Sequence, residues 1–338
     1  MRAVMTDTYI AKVPTNIAFL KYWGKSNERE QWPANDSLSM TLDLYTETLV
    51  QVWEGPEHCF SFAGLELPPD APFAQKPLMY LDFLGKNLGF KEKLFIRSHN
   101  DFPASCGIAS SASGLGALTL SALACWTRSD SFEALEEKGY TRGAIASLAR
   151  YGSGSACRSF WGGFVRWYRG VSVDQQTVSQ IFPATHWALR DRIVILSAER
   201  KSLSSTDGHK LAWTSPLFAK RLAVLEERGK RIEDALARKD LSRLGPLLEE
   251  EALEMHEVMK QSRPPCVYLG EDTHRFLDTL RKVRQQEHLA CYFTLDAGPN
   301  VHLIYEEKDS RNVDPLTKGL RYLDVGVGAG PQLSCKQR

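Results

Sequence analysis

Over residues 42–53 (LDLYTETLVQVW) apolar and polar side chains mostly alternate, the two-residue period of a half-buried strand. Residues 60–67 read as a hairpin partner and residues 94–98 as a further short strand. The period lengthens to that of a helix over residues 78–88, 111–128 and 140–150, and an aromatic strand follows at 163–168. Residues 192–196 (RIVIL) form a continuous apolar strand. Apolar residues then recur at steps of three and four over 216–239 and 241–262, which predicts two long amphipathic helices. Short strands at 290–295 and 301–305 flank the turn 296–300, and the glycines of 326–330 predict a flexible stretch followed by a loose tail. The pattern is α+β. A change of domain falls within 183–190, dividing the chain into 1–187 and 188–338.

Composition narrows the class. Hydrophobic residues make up 43% of 338 positions, enough for a real core. Lys plus Arg number 42 against 41 Asp plus Glu, so nothing global predicts a nucleic-acid or membrane partner. A phosphorylated ligand would need a local basic pocket. The most apolar segment, 108–126, carries Ser, Thr and Gly throughout and reads as a buried helix rather than a membrane span. Residues 1–13 are short and mixed, unlike a secretory leader. Seven scattered cysteines without a CxxC pair fit free thiols in the cytoplasm, and the eight histidines show no metal-ligand spacing.

Five segments carry candidate chemistry. Residues 103–114 (PASCGIASSASG) place small residues and hydroxyls ahead of a long apolar helix. Such a start either binds an anion through free N–H groups or simply caps the helix. In 14–26 (PTNIAFLKYWGKS) the Gly24-Lys25-Ser26 triplet suggests a P-loop, but Phe19 stands where that motif needs glycine. Lys21 and Lys25 are either two solvated surface lysines or, if locally helical, two cations on one face. Residues 152–159 (GSGSACRS) read as a phosphate nest followed by an Arg fork, or as a Gly/Ser turn with a surface Arg. The Ser/Thr-rich segment 201–210 either touches a ligand or caps the next helix. Residues 296–300 (DAGPN) fix a carboxylate at a strand end, or merely form a turn.

Together these blocks resemble the GHMP small-molecule kinase superfamily, and within it the diphosphomevalonate decarboxylases. Pro103, Gly107, Ile108, Ser110, Ser111 and Ala112 fill the superfamily's ATP-loop positions. Asn16-Ile17-Ala18 with Lys21-Tyr22-Trp23-Gly24-Lys25, the Gly152–Ser159 block and Asp296–Asn300 match the decarboxylase signatures, in order, across residues 12–305. The resemblance implies a GHMP kinase fold: an N-terminal ribosomal-protein-S5-like α/β domain with a left-handed β-α-β unit, a C-terminal ferredoxin-like domain, and the active site between them. It implies ATP-dependent decarboxylation of mevalonate 5-diphosphate, with ATP as co-substrate, Mg2+ as metal (its ligands unassigned) and a cytoplasmic homodimer.

By the same resemblance, Asp296 is the acid/base, Lys21 lies beside the reacting centre and Arg158 grips the departing carboxylate. Tyr22, Lys25, Ser153, Gly154, Ser155 and Ser205 hold the substrate. Pro103, Ser105, Gly107, Ala109, Ser110, Ser111, Ala112 and Ser113 hold ATP. Two positions depart from the family pattern: Asp36 replaces a serine and His209 a methionine. The nearest alternatives keep the fold and change the task, to a mevalonate 5-phosphate decarboxylase or a mevalonate-type kinase. A non-catalytic nucleotide binder is more remote, because Asp296 and Lys21 are both retained.

Overall fold

A computed structural model describes residues 7–103, 110–170, 177–197 and 203–337. The first half builds on β1 (Thr8–Leu20), the ribbon β2 (Lys25–Asn27) and β3 (Trp32–Pro33), and the long β4 (Ser37–Trp53). Then come β5 (Cys59–Phe62), β6 (Leu65–Leu67), α1 (Pro72–Leu88), β7 (Lys93–Asn100), α2 (Ser110–Thr127), α3 (Phe132–Glu137) and α4 (Arg142–Gly152). A 3-10 turn over Gly154–Phe160 leads into β8 (Phe164–Trp167) and β9 (Val178–Phe182). The second half holds β10 (Leu189–Val194), α5 (Ser205–Leu211), α6 (Phe218–Arg238), α7 (Leu241–Lys260) and α8 (Glu271–Glu287). It closes with β11 (Cys291–Thr294), β12 (Val301–Glu306), β13 (Tyr322–Gly326) and β14 (Gln332–Lys336).

Two sheets carry the architecture. The larger has eight strands with a main path β14-β1-β4-β7-β5-β6; β8 pairs with the start of β4, and β9 with β8. The smaller is an antiparallel sheet of order β11-β12-β10-β13. The chain passes from one to the other between Phe182 and Leu189. One buried cluster spans both, joining Ile17, Phe19 and Leu20 of β1 to Ile193 of β10, Leu225 of α6 and Leu248 of α7. That shared core fixes the end of β1 against the second half of the chain.

Two expectations need correction. The stretch 14–20 is strand, not helix, so Lys21 and Lys25 do not share a helical face. Both are buried, at 1% and 8% exposure, so neither is a solvated surface lysine. The expected flexible stretch and loose tail are instead woven into the large sheet. Gly328 donates to Thr41 O at 2.7 Å, a Cβ on it would lie 2.4 Å from Leu42 O, and β14 pairs with β1 from Lys12↔Gln332 to Thr8↔Lys336. The glycines there permit backbones to touch rather than to move.

Candidate active site

β1 is almost wholly buried and ends at Leu20, where its pairing with β4 is irregular between Ala18 and Leu20. Such irregularities re-aim side chains. Lys21 follows, and four contacts pin it. Its Nζ donates to Ala18 O at 2.7 Å and to Asp296 Oδ1 at 3.0 Å, its N–H donates to Glu251 Oε1 at 2.9 Å, and its carbonyl accepts from Asn35 Nδ2 at 3.0 Å. Burial pulls the Lys21 ammonium below the usual lysine range, while Asp296 works against that shift.

Asp296 sits just past β11 in a tight turn. Gly298 N–H closes it onto Asp296 O at 2.7 Å, Thr273 bonds Pro299 O at 2.7 Å, and Asn300 Oδ1 accepts from Leu196 N–H at 2.9 Å. His256 on α7 bonds Asp296 O at 3.0 Å; burial pulls its pKa down to about 4, so it is a neutral strut. Burial pushes the Asp296 carboxyl up, but the charge of Lys21, then that of His302, outweighs this and holds it below the ordinary carboxylate range. Its side chain keeps 29% exposure, so the carboxylate stays reachable beside a buried ammonium.

Arg158 lies on the 3-10 turn and is 4% exposed. Its Nε and Nη2 donate to Asn16 Oδ1 at 3.3 and 3.1 Å, and Nη1 donates to Ser37 Oγ at 3.0 Å. These acceptors are neutral, so they orient the guanidinium without cancelling its charge. Asn16 is fixed in turn by its donations to Ser155 O at 3.3 Å and Ser159 Oγ at 2.8 Å.

The Tyr22 hydroxyl is buried with no hydrogen-bond partner among the described residues, and burial pushes its pKa up, so it stays a donor. Its ring packs on Trp167 and His209 at 4.9 and 4.3 Å between centroids. Gly154 is required here, because a Cβ would lie 2.6 Å from Tyr22 Oη. The Ser153 and Ser155 hydroxyls are 3.4 Å apart on the same turn. Burial pulls the Lys25 ammonium down to about 8, helped by Lys76 and Lys210 and opposed by Glu28. Ser205 is exposed at the first turn of α5, one turn before His209.

The departures from the family pattern find physical answers. His209 Nδ1 accepts the Gly24 N–H at 3.0 Å, and burial drives its pKa far down, so it is an uncharged wedge under Tyr22. Asp36 turns to a cation: Arg166 Nη2 donates to it at 2.8 Å and the Arg169 N–H at 2.7 Å.

At the candidate ATP loop, Ser105, Gly107 and Ala109 lie outside the described residues. Pro103 is exposed after β7, and Ser110 and Ser111 open α2 on its accessible side. Ala112 and Ser113 are fully buried, and the Ser113 hydroxyl bonds Thr46 Oγ1 at 2.7 Å, which directs it into the sheet. Asn16, Ser37, Glu251 and His256 join the site without having been singled out from sequence as ligand-facing residues. Three of them carried a family signal: Asn16 in the Asn-Ile-Ala signature, Ser37 in the Asn35–Ser39 block, and His256 in a Met-His landmark that reads as structural; Glu251 carried none.

The geometry is that of an enzyme site: an acid–ammonium pair, a buried Arg fork and a serine-rich turn. Comparison narrows this further. The family model for the diphosphomevalonate decarboxylase-like N-terminal domain matches residues 13–179, and that for the mevalonate 5-diphosphate decarboxylase C-terminal domain matches residues 192–321. The diphosphomevalonate decarboxylase of Candida albicans is 36% identical, with 94% of this chain and 96% of that protein aligned. The zebrafish (Danio rerio) enzyme of the same name is 33% identical over 88% of this chain and 75% of its own. The mevalonate diphosphate decarboxylase structure from Staphylococcus aureus superposes with a TM-score of 0.87 at 29% identity, covering 97% of this chain and 98% of that one. A structure described as MDDEF in complex with MVAPP, AMPPCP and magnesium gives a TM-score of 0.88 at 30% identity, covering 98% and 100%. The chain belongs to the diphosphomevalonate decarboxylase family, and its α+β architecture is the GHMP kinase fold.

Proposed function

We propose that this chain catalyses the ATP-dependent decarboxylation of mevalonate 5-diphosphate to isopentenyl diphosphate, CO2, ADP and phosphate, in the mevalonate route to isoprenoids. The observation that carries this reading is the Lys21–Asp296 pair at 3.0 Å, close to an Arg158 whose bonded acceptors are all neutral. A tertiary hydroxyl is a poor nucleophile and hydroxide a poor leaving group. Asp296, held ionised, orients the 3-hydroxyl and accepts its proton as its oxygen attacks the terminal phosphorus of ATP. Lys21 stabilises the charge that develops beside the transferring group. The new phosphate then leaves with the C3–O electron pair. Arg158 holds the carboxylate so that the C–C electrons form the alkene as CO2 departs.

In this reading Tyr22, Lys25, Ser153, Gly154, Ser155 and Ser205 hold the diphosphate. The segment from Pro103 through Ser105, Gly107, Ala109, Ser110 and Ser111, backed by Ala112 and Ser113, meets ATP. Among the described residues no group of three His, Cys, Asp or Glu side chains could hold a metal ion. We take Mg2+ to enter with the nucleotide phosphates, where it would neutralise their charge. We divide the domains at 187/188, consistent with the change of sheet between Phe182 and Leu189. The scattered cysteines of the sequence, with no CxxC pair, support a reducing compartment, the cytoplasm. Among the described residues no helix is long and apolar enough to cross a membrane. Homodimerisation follows from the family resemblance, and light scattering on the purified protein tests it.

The test of function is incubation with ATP, Mg2+ and carboxyl-labelled mevalonate 5-diphosphate, in parallel with the 5-monophosphate. CO2 release matched to ADP with the diphosphate alone is expected. The same result with the monophosphate alone would move the chain to the sister activity, and ADP without CO2 would make it a kinase.

A further inference from the structure

Arg150 lies in the last turn of α4 and is 1% exposed. Its Nε and both Nη atoms meet the geometry of no hydrogen bond among the described residues, and no carboxylate there is bonded to it. The other buried arginines are provided for: Arg221 bonds Glu251 and Glu254, and Arg158 bonds Asn16 and Ser37. Burying a guanidinium with no carboxylate bonded to it is among the costliest arrangements a fold can hold, and it becomes favourable once an anion arrives. Tyr151 lies beside the guanidinium, with its ring 5.4 Å from the Arg150 Cζ and its hydroxyl, which donates to Glu30 Oε2 at 2.6 Å, within electrostatic reach, but a neutral phenol leaves the charge of the cation uncancelled.

The surroundings identify the anion. Arg150 is followed at once by Gly152 and the Ser153–Ser155 turn, and it lies within electrostatic reach of the Tyr22 phenol. That phenol's hydroxyl is itself buried and without a partner among the described residues, and it packs against Gly154. Two buried donors thus flank one loop of backbone N–H groups and hydroxyls. We propose that Arg150 is a phosphate-binding residue, whose planar fork takes oxygens of the distal phosphate of the substrate's diphosphate together with Tyr22 and the Ser153–Ser155 turn. This rests on the reading of that loop as the diphosphate site. It makes Arg150 a determinant of specificity, since the distal phosphate is the group a monophosphate lacks and, being terminal, carries the larger charge.

The test uses the full-length protein and Arg150→Met, with Arg150→Lys as a charge-retaining control. Melting is followed without ligand and with inorganic diphosphate, and KM values are measured for mevalonate 5-diphosphate, the 5-monophosphate and ATP. Arg150→Met should melt no lower than wild type without ligand, because an uncompensated buried charge has been removed, yet lose the rise produced by inorganic diphosphate. Its KM for the diphosphate should increase roughly 10- to 100-fold with the ATP value unchanged, as expected for loss of hydrogen bonds to a charged group. Arg150→Lys should fall between the two. A lower ligand-free melting temperature with the diphosphate effect intact would make Arg150 structural and overturn the proposal. If Arg150→Met does not fold, an Arg150→Lys protein with wild-type KM and selectivity overturns it equally. Wild-type protein showing neither turnover nor stabilisation would instead bring down the diphosphate reading beneath it.

Discussion

Replacing Glu251 by Gln removes the charge of one buried carboxylate while keeping its shape. Glu251 is fully buried on α7. Its Oε1 accepts from the Lys21 N–H at 2.9 Å and from Arg221 Nη2 at 2.5 Å; its Oε2 accepts from Arg221 Nη1 at 3.2 Å and Arg228 Nη1 at 2.6 Å. The amide would set its own N–H donors against guanidinium groups that can only donate, so at least one attraction becomes a clash. Breaking a buried pair by removing one partner costs about 3–5 kcal/mol. Glu254 still bonds both arginines and Glu250 still bonds Arg228, which places the cost near about 3 kcal/mol. For 338 residues the unfolding entropy is about 0.7 kcal/mol per kelvin, so Tm at pH 7 should fall by about 4 °C in calorimetry.

The deficit has a defined pH dependence. Burial pushes the Glu251 carboxyl up, but Arg221 and Arg228 outweigh it and hold it below the usual glutamate value. The stability it contributes is therefore present above the ordinary glutamate pKa and fades as pH falls through the depressed one. The gap between wild type and variant should close at acid pH. Turnover should fall as well, since the same carboxylate tethers the backbone of Lys21. A variant melting within about 1 °C of wild type at pH 7 would refute this account of the network.

Asp296→Asn should lower turnover at least about a hundredfold with little change in ATP affinity, and near-normal turnover would remove Asp296 from the role of base. Lys21→Met deprives Asp296 of the charge that holds its pKa down, so the residual activity should fail at a higher pH on the acid side than in wild type; coincident acid limbs in kcat/KM profiles would contradict the pairing. Gly154→Ala would bring a methyl to 2.6 Å from Tyr22 Oη and 2.7 Å from its Cε1, displacing the ring. It should cost about 1–3 kcal/mol of stability in chemical denaturation and raise KM for the diphosphate more than KM for ATP.

The amphipathic helices α6 and α7 and the alternating strand β4 are legible because one face meets a core and the other does not. β1 escapes that reading: TYIAKVPTNIAFL is buried on both sides, so no alternation survives. α8 has a charged exterior with few apolar anchors, Phe276, Leu277 and Leu280 among them, and periodicity gives it little contrast. In the site, Lys21, Asp296 and the Ser153–Ser155 turn announce themselves by residue type and spacing. Glu251 does not, since it is one of three consecutive glutamates and only the packing of α7 decides that Glu251 meets Lys21 while Glu249 is buried elsewhere, against Arg284. Arg150 is equally silent in sequence, because a buried cation with no carboxylate bonded to it is visible only once its surroundings are known.

β14 completes the first sheet after all four strands of the smaller sheet have been laid down. During synthesis the ribosome delivers residues 332–336 long after β1 and β4 have emerged, so the nascent N-terminal half waits with one flank of β1 unsealed. An open strand edge is a template for foreign strands. Products that stop short of β14 should therefore be sticky rather than merely weakened, and the finished sheet is protected by a strand that arrives only after the smaller sheet is complete.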